Sequence, residues 1–214
     1  MYTDSDEIKS KHKGDIRTLW KIYQSDEPFF KNYFFKVSGY LAFAFTLISL
    51  FTTVDTYALI IHIVNTGIGI LPNLLGFNLG AYILIVGFGG TEILSVITRP
   101  LKGQDNYSFY QKLNGVLGIA VIVQILTLVT LLLLNLWEDI QDKFIWELHN
   151  NVLIKGINVL TLFLISLFSF YSILILVNVI KHVFMFAQTI HFCIYTDRLK
   201  KINDEEEKIK NKHP

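Results

Sequence analysis

Four long stretches of the sequence contain almost no lysine or arginine, and they limit what the chain can fold into. They cover residues 37–64, 71–92, 113–137 and 152–180, and Lys155 is their one basic exception. A helix that rises 1.5 Å per residue crosses the roughly 30 Å of bilayer hydrocarbon in about 20 residues. A chain of 214 residues cannot bury four such stretches side by side in a water-soluble core. The sequence therefore predicts an all-α membrane protein with four transmembrane helices.

The basic residues outside these stretches predict the topology and the domains. Seven lie in residues 1–36, three in residues 98–112 and seven from residue 181 onward. By the positive-inside rule, both termini and the middle loop should face the cytoplasm. We expect residues 1–36 to form a cytoplasmic segment, residues 37–180 the transmembrane domain, and residues 181–214 a cytoplasmic helical tail.

Two helical patterns extend beyond the membrane domain. Apolar Ile16, Leu19 and Tyr23 recur at helical spacing opposite polar residues, which predicts an interfacial helix lying on the inner leaflet. At the other end, one helix should run from about residue 152 to about residue 210, because the basic tail contains no early proline or glycine. Residues 183–195 form an apolar row that should pack on the N-terminal helix or on another copy of the chain.

The second stretch, "LPNLLGFNLGAYILIVGFGGTE", is unusual for its glycines and amides. At about 100° per residue, its small residues fall on one side of a helix, where they would let another helix approach closely. We expect Pro72 to begin this helix and the preceding Gly67 and Gly69 to belong to a short outer loop. The groove fits packing inside one subunit, or packing between subunits or near a pore axis. The candidate helix-packing or pore residues are Asn73, Gly76, Asn78, Gly80, Gly87 and Glu92.

Several other polar residues are expected at membrane depth, namely Asp55, Gln124, Asn135, Asn158 and Asn178. Such groups face protein neighbours or water rather than lipid. Four spans leave little interior in which to hide them, so the pattern favours a homo-oligomer with a central passage flanked by hydrophobic rings.

Catalytic and metal-binding signatures are poor. The six histidines are scattered, and neither an HExxH nor a CxxC motif occurs. The string "GFGGTE" follows a membrane helix instead of opening a βαβ unit, so it does not indicate a phosphate-binding loop. The sequence predicts a protein that is not an enzyme and has no cofactor.

The "LGFNLG" core of the second stretch, with the four-span layout, resembles the small membrane effectors of bacterial anti-phage defence, in particular the membrane component of the Hailong type. The resemblance covers about thirty residues and carries over only Gly76, Phe77 and Gly80. It implies a homo-oligomeric ion channel that depolarises the cell's own inner membrane during infection. It also implies a partner nucleotidyltransferase that makes DNA oligomers, which hold the channel shut.

A polyanion would need cations on the inner face of such an oligomer, where repeated charges bind phosphates. The positive-inside rule and anionic lipid headgroups explain the same cations without any nucleic acid. Two other classes stay open: a small transporter, which should show a second interrupted helix, and a non-catalytic scaffold subunit of a membrane complex. The candidate anion-binding residues are Lys36, Arg99, Lys102, Lys112, Lys181, Arg198, Lys200 and Lys201.

Overall fold

The computed structural model describes residues 14–26, 28–52, 55–87, 97–98, 107–141 and 151–210. Every element of regular secondary structure in these ranges is a helix. Four helical regions are long and apolar enough to cross a membrane, so the chain is an all-α membrane protein, as predicted. The helices are α1 (Ile16–Asp26), α2 (Tyr33–Phe51), α3 (Thr56–Gly87), α4 (Phe109–Gln141) and α5 (Asn151–Lys210), with a short 3₁₀ helix (Phe29–Lys31) before α2.

The boundary between the first two spans differs from the prediction. The helix of the first span ends at Phe51 instead of continuing to residue 64, and α3 begins at Thr56. Asp55 starts α3 because its carboxylate accepts a hydrogen bond of 3.1 Å from the backbone N–H of Tyr57. The carboxylate expected at membrane depth is therefore an exposed helix cap.

The predicted outer loop around Gly67 and Gly69 is wrong, because both residues lie within α3. Pro72 is in the interior of the same helix and does not begin it. Within hydrocarbon an unpaired backbone group costs several kcal/mol, so a membrane helix keeps its backbone paired through residues that would end a helix in water. The second span thus comprises all 32 residues of α3 rather than residues 71–92.

Helix α5 is the centre of the bundle, since it packs against α2, α3 and α4. A buried apolar cluster joins α5 to α4 through Leu113, Leu117 and Ile175. A second cluster joins α5 to α3 and α4 through Val64, Leu131 and Leu162. The three partner helices are consequently fixed to one shared element.

The N-terminal helix α1 packs against α4 at two glycines. A Cβ atom built on Gly115 would lie 3.2 Å from the backbone nitrogen of Tyr23, and one on Gly118 would lie 2.9 Å from a methyl carbon of Leu19. The missing side chains allow the two helices to approach closely. Leu19 and Tyr23 of the predicted interfacial helix therefore meet protein, whereas Ile16 is exposed.

The predicted continuous last helix is confirmed. Helix α5 has 60 residues, which corresponds to about 90 Å at 1.5 Å per residue. Lys181 follows 29 residues, 152–180, that hold one basic residue, and those residues alone exceed the thickness of the hydrocarbon. Residues 181–210 therefore extend beyond it, at the end of the bundle that also carries Lys36 and Lys112, here called the basic end.

Candidate functional site

One face of α3 is polar or small along nearly the whole helix, and all of that face is exposed. Its members recur every three or four residues, which places them in a sector of about 100° on a helix with 3.6 residues per turn. Only the turn at Ile83 and Leu84 interrupts it with large apolar side chains, which are also exposed. This α3 polar stripe consists of His62, Asn65, Thr66, Gly69, Asn73, Gly76, Gly80 and Gly87.

The glycines of the stripe make no contact within the described part of the chain. A Cβ atom built on Gly69, Gly76, Gly80 or Gly87 would meet no heavy atom within 4 Å. Gly67, on another face of α3, is different, because a Cβ atom there would collide with Leu131 of α4. Packing within the described chain therefore uses Gly67 and leaves the predicted groove open.

Asn73 places an amide in the middle of this open face. It is exposed, it is 17 residues from the start of α3, and its Nδ2 donates a long hydrogen bond of 3.4 Å to the carbonyl oxygen of Gly69. At 1.5 Å per residue, Asn73 lies about 25 Å from the start of α3 and about 21 Å from its end, which is near the middle of a helix longer than the hydrocarbon is thick. On a single chain this amide would face lipid.

Asn78 has a different role from the stripe, because it is fully buried on the opposite side of α3. Its Nδ2 donates to Gln124 Oε1 of α4 at 2.8 Å, and Gln124 Nε2 donates to the carbonyl oxygen of Ser172 of α5 at 3.1 Å. The hydroxyl of Ser172 then donates to Thr127 Oγ1 at 2.8 Å. This polar network links three membrane helices with side-chain hydrogen bonds.

The network revises the argument that four spans lack room for polar groups. Gln124 and Asn178 are both buried inside a single chain, whereas Asn135 and Asn158 are partly exposed. The backbone carbonyl of Asn178 lies 2.8 Å from His182 Nδ1. Gln124 thus finds hydrogen-bond partners within one chain, whereas the polar groups of the α3 stripe are left exposed.

An apolar groove adjoins the glycine half of the stripe. It has a volume of about 720 Å³ and runs between α3 and α5, with Gly80 and Leu84 on one side and Ile180 and Ala187 on the other. Phe77 and Phe184, both more than half exposed, flank it. A groove of this kind fits lipid chains or a helix from another subunit.

The basic residues predicted to bind an anion divide into two groups. Lys36, Lys181 and the tail residues Arg198, Lys200 and Lys201 are exposed. Lys112 is only 5% exposed, because it lies in the first turn of α4 beneath its neighbours, so a surface ring of cations would not include it.

Three of the predicted residues, Glu92, Arg99 and Lys102, lie outside the described ranges. Among the residues that the structure describes, no three His, Cys, Asp or Glu side chains come together as a metal site. The described residues thus present three surface features: a polar stripe, an apolar groove and a basic end.

Sequence reasoning missed the half of the stripe that contains His62, Asn65 and Thr66. A signal for them was present, because these residues continue the spacing of Asn73 and Gly76 toward the start of the helix. The wrongly placed loop interrupted that pattern.

These features define the class: an integral membrane protein of four spans with one polar helix face left open. In comparisons with known proteins, no family model, no curated protein and no solved structure matches the chain. The resemblance to the defence effectors therefore stays a prediction.

Proposed function

We propose that copies of this chain assemble around an axis into a membrane channel, with the α3 polar stripe of each copy turned toward the passage. The observation that carries the proposal is the exposure of Asn73, together with His62, Asn65 and Thr66, on a helix that crosses the hydrocarbon. Polar side chains at that depth face protein or water rather than lipid. Three or more stripes around an axis would supply a passage lined by polar and small groups.

The glycine half of the stripe supports close assembly of the copies. With open space around Gly76 and Gly80, a second helix can approach the α3 backbone and gain dispersion contact that lipid chains do not provide. The apolar groove beside Gly80 can accommodate a side chain of that helix. Assembly and the passage would thus use neighbouring parts of one face.

Cysteine accessibility tests whether the stripe lines water. In a Cys193→Ser background, we expect Asn73→Cys to react with a charged, water-soluble thiol reagent in nanodiscs and the reaction to reduce the current in planar bilayers. Leu126→Cys is the matched control, because Leu126 is 61% exposed on α4 and lies between Leu131, which meets Gly67, and Gln124, which is hydrogen-bonded to Asn78. An oligomer in which the cysteine at residue 73 is as unreactive as that at residue 126 would refute the channel.

A second experiment tests assembly. Gly80→Leu should force the helices apart, so that the mass in mild detergent falls to that of a monomer and cells that express the variant keep their membrane potential. Leu79→Ile, on another part of α3, should change neither result. If Gly80→Leu assembled and depolarised cells like the unaltered chain, the glycine contact would be refuted. For the unaltered chain, an oligomer of three or more copies that carries no current would favour the scaffold role, whereas a monomer would remove both the channel and the scaffold.

The biological role that accompanies this proposal is that of an anti-phage effector in the bacterial inner membrane, with both termini in the cytoplasm. It rests on the "LGFNLG" resemblance and on the exposed cations of the basic end, which suit a DNA oligomer or anionic lipid headgroups. We expect a short DNA oligomer, added on the side of the basic end, to reduce the current. This inhibition should weaken as the salt concentration increases. If Lys200→Gln with Lys201→Gln left that inhibition unchanged, these cations would not form the site.

A further inference from the structure

The part of α5 beyond the membrane carries a second open face that differs from the α3 polar stripe. From Phe192 to Ile202, large apolar residues alternate at spacings of three and four, which is the a and d pattern of a heptad repeat; Met185 lies one heptad before Phe192, and polar Gln188 takes the d position between them. Met185, Phe192 and Leu199 take a positions, while Tyr195 and Ile202 take d positions. The α5 seam is defined by these five residues.

Every residue of the α5 seam is exposed on the single chain. The exposed fractions run from 42% for Met185 to 67% for Phe192. Neighbouring residues on another side of the helix are covered, since Phe186 is 6% exposed in the cluster with Ile175 and Leu113. Since residues 181–210 extend past the hydrocarbon, the seam faces water, where an apolar row of this size is unfavourable.

We propose that the α5 seam pairs with the same seam of another copy, so that the tails of one oligomer form a parallel coiled coil. This inference rests on the self-association in the proposed function and assigns it a second interface. The heptad repeat favours α5 of another copy as the partner of the seam, because apolar a and d positions spaced 3.5 residues apart keep two supercoiled helices in contact.

The membrane sets the relative orientation of the α5 tails in an oligomer. All copies inserted alike send α5 out from the same face, so the tails are parallel and each seam residue is at the same distance from the bilayer as its counterpart. Tethering in one oligomer also makes pairing of the tails effectively intramolecular.

The positions beside the seam also fit a second copy. The e positions are held by Thr189, Thr196 and Asn203, none of which carries a charge that would repel its counterpart. Arg198 takes a g position, and the e position that faces it in a parallel partner belongs to uncharged Asn203, so this pair is free of charge repulsion.

Disulfide trapping tests the inference on the purified full-length chain in nanodiscs, where other proteins are absent. In the Cys193→Ser background, Leu199→Cys should give a cross-linked dimer on mild oxidation, because a disulfide requires Cα atoms within about 7 Å. Asp197→Cys is the control: it takes the f position, on the side of α5 away from the seam, and should stay monomeric on a denaturing gel.

The outcomes separate this inference from the proposed function. An oligomer by mass without cross-linking at residue 199, or with equal cross-linking at residues 199 and 197, overturns the coiled coil and leaves the channel standing. A monomer by mass overturns both. Cross-linking at residue 199 alone, in chains whose stripe cysteine is unreactive, supports the coiled coil and refutes the channel.

Discussion

Replacing Gln124 by methionine removes two side-chain hydrogen bonds that join α4 to α3 and α5 while it nearly preserves the volume of the side chain. Gln124 accepts from Asn78 at 2.8 Å and donates to Ser172 at 3.1 Å. In membrane proteins such bonds contribute about 0.6 kcal/mol each on average and up to about 1.7 kcal/mol. The two bonds together should thus contribute about 1–3 kcal/mol to the free energy of unfolding.

The substitution also removes the hydrogen-bond partner of the buried Asn78 side chain. Its Oδ1 already lacks a hydrogen-bond partner and its Nδ2 would lose Gln124, so a fully buried amide would be left without the bonds it needs. An orphaned buried polar group costs about 1–3 kcal/mol. We therefore expect Gln124→Met to cost about 2–6 kcal/mol in all and Asn78→Leu in the same chain to recover part of that loss.

Equilibrium unfolding in mixed detergent, followed by tryptophan fluorescence at one fixed protein concentration, measures these differences. Thr130→Val is a suitable control, because the Thr130 hydroxyl is exposed on the same helix and donates only to the carbonyl oxygen of Leu126. The reasoning is refuted if Gln124→Met costs no more than the control, or if its cost and that of Asn78→Leu simply add in the double variant.

Three further predictions follow from the packing and the topology. Gly115→Ala should lower the free energy of unfolding by roughly 1–3 kcal/mol, because the added methyl group overpacks the contact between α1 and α4. Gly76→Ala should leave the fold at least as stable, and equal losses for the two variants would contradict the assigned contacts. Asp55→Ala should cost about 1 kcal/mol through loss of the α3 cap, and an unchanged free energy of unfolding would argue against it. A cysteine at Asn150 should react with an impermeant thiol reagent outside intact cells and one at Gln104 should not, and the reverse pattern would invert the topology.

The number of spans was predictable from the sequence, whereas the boundary between the first two was not. No glycine, proline or basic residue marks the short connection before Thr56, and the one charged residue there, Asp55, resembles a buried polar group as much as a helix cap. Conversely, Gly67, Gly69 and Pro72 have the composition of a loop in water. In lipid the same residues form a helix, because backbone N–H and C=O groups must be hydrogen-bonded within the protein there. The local sequence alone does not indicate this requirement.

The candidate site was predictable only in part. Helical periodicity placed Asn73, Gly76 and Gly80 on one face and Asn78 on another, and the structure has them so. Periodicity carries no information about which partner a buried amide meets, so the link from Gln124 to Ser172 across 48 residues had no signal in the sequence. Whether a small residue packs within the chain depended likewise on tertiary structure, which uses Gly115 but leaves Gly76 open.

The unbroken length of α5 has a mechanical consequence. Because the same helix contacts the other three spans and projects about 45 Å past Lys181, it acts as a rigid arm whose pivot is inside the bundle. A tilt of about 10° moves the far end by about 8 Å relative to Lys181, on the rise of 1.5 Å per residue. A force applied to the tail would in turn be transmitted, with the leverage of the long arm, to the buried contacts of α2, α3 and α4.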